Sequence, residues 1–210
     1  MPRLPQLTED TTEQLAQVRA QLGRVPNLYA AMANGPAALA GYLALRHELT
    51  RGALTARLRE QLALLVAQDN GCDYCVSAHH LRGRMMKLSD EELAATRHAD
   101  DRDPHAAAVL GLAREVMRTG GRVSDASLAA ARAAGVTDAE LAEIVAHVAL
   151  NTLSNYFNHL AQPELDFPPA PALADPPSPT ETAALAGTAP TGTVAPAENA
   201  TVAETAAVAA

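Results

Sequence analysis

The chain has 210 residues, 48% of them hydrophobic and 19% charged, which suits a globular protein and excludes collagen-like, disulfide-rich and wholly coiled-coil classes. A net charge of −8 leaves no cationic surface for counterion release from a nucleic-acid backbone, so no nucleic-acid partner is expected. No apolar run nears the roughly 18 residues of a membrane span, and Met1-Pro2-Arg3-Leu4-Pro5 opens no export signal, so the expectation is no membrane association and a reducing cytoplasm.

In chain order, a helix is predicted from about Thr12 to Leu22, with Leu15, Val18 and Leu22 on one face and Gly23 as its stop. Pro26 and Pro36 suit first-turn positions of a short helix through Tyr29 and Met32 and a longer one through Leu39, Leu43 and Leu45. Thr55 caps a helix whose buried stripe is Leu58, Leu62, Leu65 and Val66 and which ends at Asn70-Gly71. The next helix begins at Cys72 and runs to about Met86. Ser89 with Glu92, and Thr137 with Glu140, form capping boxes. Asp103-Pro104 opens a helix stopping at Gly120-Gly121, Ser124 caps one stopping at Gly135, and the last runs from Asp138 to roughly His159. No alternating strand pattern is present, so the fold class is all-α.

From Pro168 to Ala210 eight of the fourteen prolines fall in a stretch without aromatic residue, Lys or Arg, a composition that cannot build a core. Residues 168–210 are therefore expected to be a disordered acidic tail, and residues 1–167 a single domain. The tail holds Asp175, Glu181, Glu198 and Glu204, half of the net charge. At an offset of 82, Thr55, Val66, Ala67 and Tyr74 match Thr137, Val148, Ala149 and Tyr156, which would allow two related helix hairpins.

The chemistry concentrates at Glu60, Cys72, Cys75 and His79. Read as one helix, Cys72, Cys75 and His79 stand at i, i+3 and i+7 on one face, and both cysteines lie in the first turn, where free N–H groups and the helix dipole favour a thiolate. Cysteines one turn apart also fall in the ~4.4–6.8 Å Cα range that a disulfide tolerates. Glu60 lies about ten residues before the Asn70-Gly71 turn and His79 about eight or nine after it, roughly 15 and 13 Å along antiparallel axes, so they can meet across the hairpin. A carboxylate on one imidazole nitrogen fixes the tautomer and leaves the other as a proton acceptor for a thiol.

Other uses of these residues are weaker. A structural disulfide closing so short a loop would contribute only ~2 kcal/mol and would be lost in a reducing cell. A zinc site from Cys72, Cys75 and His79 with His80 or Glu60 lacks a second cysteine pair, and no metal or cofactor is expected. His80, about 100° around the helix from His79, is expected at a surface or interface. His147, Asn151, Ser154 and Asn158 form a polar stripe opposite Ile144, Val148 and Leu160, which either lines the site or an interface or faces solvent. Tyr74 and Tyr156 are expected to pack. Asp100, Asp101 and Asp103 with His98 and His105 are expected to be a solvated loop and a helix cap rather than a metal site.

Glu60, then eleven residues, then Cys72-x-x-Cys75-x-x-x-His79 resembles the signature of the alkylhydroperoxidase D-like branch of the carboxymuconolactone decarboxylase superfamily. Asn70-Gly71-Cys72-Asp73-Tyr74-Cys75 and Asn155-Tyr156-Phe157-Asn158-His159 are similar to that family as well, and the looser likeness covers about residues 20–167. The resemblance implies a helical bundle around an antiparallel hairpin, assembly as a homo-oligomer (trimer or hexamer), and reduction of a hydroperoxide with electrons from a lipoyl or thioredoxin-like dithiol donor. It implies that Cys75 is the peroxidatic thiol, that Cys72 donates a proton and resolves the redox disulfide, and that His79 and Glu60 relay protons; helix position alone ranks Cys72 first. Tyr74 stands where the founding peroxidases carry a second His. The alternatives are a general disulfide oxidoreductase and a redox-sensing helical oligomer or binding protein without turnover.

Overall fold

The computed structural model describes residues 1–8 and 11–173, and among these the chain is all-helical. The helices are α1 (Glu13–Leu22), α2 (Asn27–Met32), α3 (Pro36–Leu49), α4 (Ala56–Asp69), α5 (Asp73–Met85), α6 (Asp90–Arg97), α7 (Pro104–Thr119), α8 (Asp125–Ala133) and α9 (Asp138–Ala161). Their starts follow the local chemistry. Thr12, Thr55, Ser89, Asp103, Ser124 and Thr137 each accept a backbone N–H of the first turn, a cap that stabilises by about 1 kcal/mol, and both expected capping boxes form. Gly23 and Gly120 end α1 and α7 in the left-handed conformation that glycine adopts without steric cost. The last helix runs on to Ala161, two residues past the expected stop, where Gln162 takes the left-handed cap.

Helix α4 is the central element. It is buried continuously from Glu60 to Ala67 and packs against α5, α6, α7 and α9, so its apolar surface extends beyond one stripe. Leu58, Leu62 and Leu65 join Val109, Leu110 and Ile144 in one core. A second core packs Leu15, Val18, Met32, Leu39 and Tyr42 against Leu150 of α9. A third, smaller one surrounds the cysteines with Leu64, Val76, Leu88 and Leu93. Full burial of each such leucine or valine contributes about 1.5–3 kcal/mol, which makes α4 the scaffold on which the site is held.

Three expectations are corrected. The offset-82 match does not describe two hairpins, because α9 continues unbroken through Thr152 and Leu153, the positions that correspond to the Asn70-Gly71 turn. Tyr156 and Leu160 are exposed, on the side of α9 away from the core, and Leu45 is exposed on α3. Pro26 is the N-cap of α2 rather than a first-turn residue.

Beyond α9 the chain turns back across the cysteine end of the bundle. Asn27 Nδ2 donates to the Glu164 carbonyl (2.9 Å), Arg24 pairs with Asp166 (3.0 Å), and the Arg24 guanidinium lies over the Phe167 ring at 4.5 Å. Contacts run past Phe167, the last residue of the expected domain: the Ala170 N–H donates to Ser77 Oγ (3.1 Å) and Arg97 Nη1 to the Pro171 carbonyl (2.8 Å). Residues 174–210 of the expected tail lie outside the described residues.

Candidate active site

The α4–α5 turn sets the site. Asp69 ends α4, Gly71 takes a φ of 65°, and the Cys72 N–H donates to the Ala67 carbonyl at 2.9 Å. This places Cys72 at the N-cap of α5 (φ −91°, ψ 90°) instead of inside the helix as expected, so its sulfur caps the helix and accepts the Cys75 N–H at 3.3 Å. Cys72 and Cys75 are paired in a disulfide with Cα atoms 5.3 Å apart. Both are nearly inaccessible, at 2% and 4% exposure.

Glu60 and His79 meet across the hairpin, with His79 Nδ1 2.7 Å from Glu60 Oε1. Arg82, one turn further along α5, puts Nη2 3.1 Å from Glu60 Oε2. Burial pushes the Glu60 carboxyl upward, but the neighbouring His79 and the Arg82 and Arg46 guanidinium groups outweigh it and hold the group below the usual carboxylate range. Glu60 is therefore an ionised, buried acceptor that fixes His79 through Nδ1 and leaves Nε2 free for other partners.

The polar stripe of α9 faces inward. His147, Asn151, Ser154 and Asn158 are each buried and line one cavity of about 610 Å3 together with Glu60, Cys75 and His79. Asn158 Nδ2 reaches Cys75 Sγ at 3.1 Å and Cys72 Sγ at 3.9 Å, and its Oδ1 has no partner. Cys75 lines the cavity and Cys72 does not, so one sulfur of the pair has access to it. The α9 helix is also tied to the turn, because Asn70 Nδ2 donates to Asn155 Oδ1 (3.0 Å) and His159 Nε2 lies 2.9 Å from the Asn70 carbonyl.

Tyr74 packs edge-on against Phe167 as an aromatic pair, and its hydroxyl donates to Asp166 Oδ1 (2.6 Å) while accepting the Leu28 N–H (3.2 Å). Burial and the Asp166 carboxylate raise the phenol pKa, so the residue is a neutral bracket holding the returning segment beside Cys75. His80 is half-buried with Nδ1 unpartnered, and burial lowers its pKa. Among the described residues no three His, Cys, Asp or Glu side chains are grouped to hold a metal ion. Asp103 caps α7, and Asp101 accepts Gln61 Nε2 at 2.6 Å. No described helix is long and apolar enough to cross a membrane.

Two contributors escaped the sequence reading. Arg82 carried a faint signal, lying at i+3 from His79 on the same face of α5. Arg46 carried none, since only the packing of α3 brings it to the cavity.

Residues 36–115 match the family model "Carboxymuconolactone decarboxylase family". Comparison with curated protein sequences gives no match. Among solved structures the chain is similar to an uncharacterized peroxidase-related protein of Ralstonia eutropha JMP134 with an alkylhydroperoxidase AhpD core (26% identity, 79% of this chain and 92% of that one, TM-score 0.70). An uncharacterized peroxidase-related protein of Silicibacter sp. TM1040 shares the fold at 21% identity (77% and 89% covered, TM-score 0.67). The debrominase Bmp8, solved with 2,3,4-tribromopyrrole, does so at 15% identity (78% and 90%, TM-score 0.66). The family-model match over residues 36–115, the likeness to the alkylhydroperoxidase AhpD core and the Cys72–Cys75 pair on the α4–α5 hairpin together support the alkylhydroperoxidase D-like branch of the carboxymuconolactone decarboxylase superfamily.

Proposed function

We propose that the protein is a dithiol-dependent peroxidase that reduces organic hydroperoxides. The observation that carries this reading is that Cys75 alone of the two cysteines lines the cavity, with Asn158 Nδ2 on its sulfur and the Glu60–His79 pair beside it. In the reduced protein His79, oriented by Glu60, takes the Cys75 proton. The thiolate attacks the distal peroxide oxygen, the O–O bond breaks, and the alkoxide takes the proton back from His79 to leave as the alcohol, with Cys75 now a sulfenic acid. Cys72 sulfur then attacks Cys75 sulfur and the S–O bond breaks. The departing hydroxide takes the Cys72 proton as water, and the disulfide results. A dithiol donor restores the pair by exchange, supplying two electrons and two protons. Exposures of 2% and 4% favour a slender lipoyl-type arm over the flatter face of a thioredoxin-like protein.

Assembly as a homo-oligomer, trimeric or hexameric, belongs to the same reading. It is supported by Val145, Leu153, Tyr156 and Leu160, exposed apolar residues at i, i+8, i+11 and i+15 of α9. A cytoplasmic location supplies the reducing environment the cycle needs.

The test is turnover of cumene hydroperoxide with dihydrolipoamide by the full chain, together with mass spectrometry of the reduced protein after one equivalent of peroxide. A mass loss of two hydrogens at Cys72–Cys75, with turnover abolished in Cys75→Ser, is the expected result. Turnover no higher than that of the variant overturns the proposal.

A further inference from the structure

The cavity wall carries more positive charge than the redox chemistry uses. Three arginines line it, Arg46, Arg59 and Arg82, against a single acidic residue, Glu60. Glu60 is already engaged by His79 and Arg82. Arg59 directs Nη1 to the Leu54 carbonyl (2.6 Å), which supplies no compensating charge. Glu143 lies close enough to Arg59 to act on it electrostatically, but its carboxylate accepts the Ala53 and Leu54 N–H groups, at 2.6 and 3.0 Å. Arg46 acts on Glu60 only through its charge, with neither a hydrogen bond nor an ion pair among the described residues. His147, 4% exposed and lining the same cavity, has a buried Nε2 without any partner. A buried nitrogen of this kind costs free energy unless a partner reaches it.

We propose that Arg46, Arg59 and His147 form a carboxylate-binding subsite, and that the molecule taken into the cavity is an amphipathic organic acid lying between this subsite and Cys75. Placement on α9 sets its length. Asn158, on the Cys75 sulfur, lies eleven residues on from His147, about 16 Å along the helix. An extended chain of ten carbons, with C–C bonds of about 1.5 Å advancing about 1.25 Å each, covers most of this gap when a hydrogen bond of about 3 Å is added at the carboxylate. Leu28, Tyr42, Ala63, Ala78 and Leu150 supply apolar wall for such a chain. Burial and the charge of Arg59 lower the His147 pKa, and burial lowers that of Arg59, as expected where cations crowd a site without their anion. Which end of the acid reacts rests on the peroxidase reading; the subsite itself does not.

Titration calorimetry of the full chain in its disulfide form, with decanoate and with its neutral analogue decanamide, tests the subsite without any redox step. Decanoate is expected to bind about tenfold or more tightly than decanamide. Arg46→Gln and His147→Gln should each remove most of that preference, and Arg46→Lys should keep part of it, with far-UV circular dichroism matching the wild type. Equal affinity for the two ligands, no decanoate binding, or a preference untouched by both glutamine variants overturns the proposal. Decanoate selectivity without turnover of cumene hydroperoxide would sink the peroxidase reading and leave the subsite standing. Turnover without selectivity would do the reverse.

Discussion

His147 offers a direct test of how the cavity is built. Its imidazole is buried and has its pKa lowered from 6.5 to about 4, with burial the larger cause, the charge of Arg59 adding to it and the Glu143 carboxylate opposing. The unfolded chain thus binds a proton near pH 6.5 that the folded protein refuses until about pH 4. Folding stability is therefore untouched above about pH 7 and falls as pH drops through the window between those two values. Between pH 7.5 and pH 5 the loss from this one group is about 2 kcal/mol, rising to about 3 kcal/mol below pH 4. For a folded unit of this size the first figure is about 4–8 °C in Tm. The assay is urea unfolding of wild type and His147→Gln at both pH values. The variant should lose about 2 kcal/mol less than the wild type on acidification. Other groups, including the half-buried His80 whose pKa is also lowered, titrate in both proteins and cancel in the difference. Identical acid losses in the two proteins would refute a neutral, desolvated His147.

Glu60→Gln removes the charge that orients His79, and peroxide turnover should fall by about 10–100-fold while the protein still folds, read from steady-state rates against circular dichroism. In Gly83→Ala the new Cβ would stand 2.5 Å from Leu93 Cδ2 and 3.3 Å from Leu88 Cδ1, so chemical denaturation should show a loss of about 1–3 kcal/mol from overpacking. Tyr74→Phe deletes the hydroxyl that holds Asp166, and amide exchange should accelerate over residues 164–171 with little change in α4 or α7.

Features fixed by neighbouring residues were legible in the sequence. Caps such as Ser89 with Glu92 and stops such as Gly120 depend on four or five consecutive residues, and the structure has them where they were expected. Glu60 and His79 were legible for a related reason: a tight turn makes their meeting a matter of axial rise alone. Cys72 shifted from helix to cap because one pair of backbone dihedrals decides that boundary, and a helical period does not report it. Periodicity grouped His147, Asn151, Ser154 and Asn158 on one face but was silent on whether that face met solvent or a cavity, which depends on how α9 packs against α3, α4 and α5. The Tyr74–Asp166 bond spans 92 residues of sequence, beyond any local signal.

Helix electrostatics and access select different sulfurs, and the proposed cycle needs both preferences. The dipole argument favours Cys72 as the thiolate, since it stands at the very start of α5 and its sulfur accepts the Cys75 N–H. Both sulfurs accept a hydrogen bond, so access decides between them: Cys72 does not line the cavity from which a hydroperoxide would approach. Cys75 faces the cavity with Asn158 Nδ2 to stabilise its negative charge. In the oxidative half of the proposed cycle access therefore outweighs position: Cys75 is the sulfur placed to attack the peroxide, and Cys72 follows as the resolving thiol. In the reductive half the same geometry works in the opposite sense. A donor thiolate entering through the cavity meets Cys75 sulfur, and Cys72 departs as a thiolate stabilised by the helix N-terminus and the Cys75 N–H. Since a leaving thiol of lower pKa departs faster, the helix cap makes Cys72 the better leaving group. With Cα atoms 5.3 Å apart, the pair passes between the two states with little backbone movement, so α4 and α9 can hold Glu60 and Asn158 in place throughout.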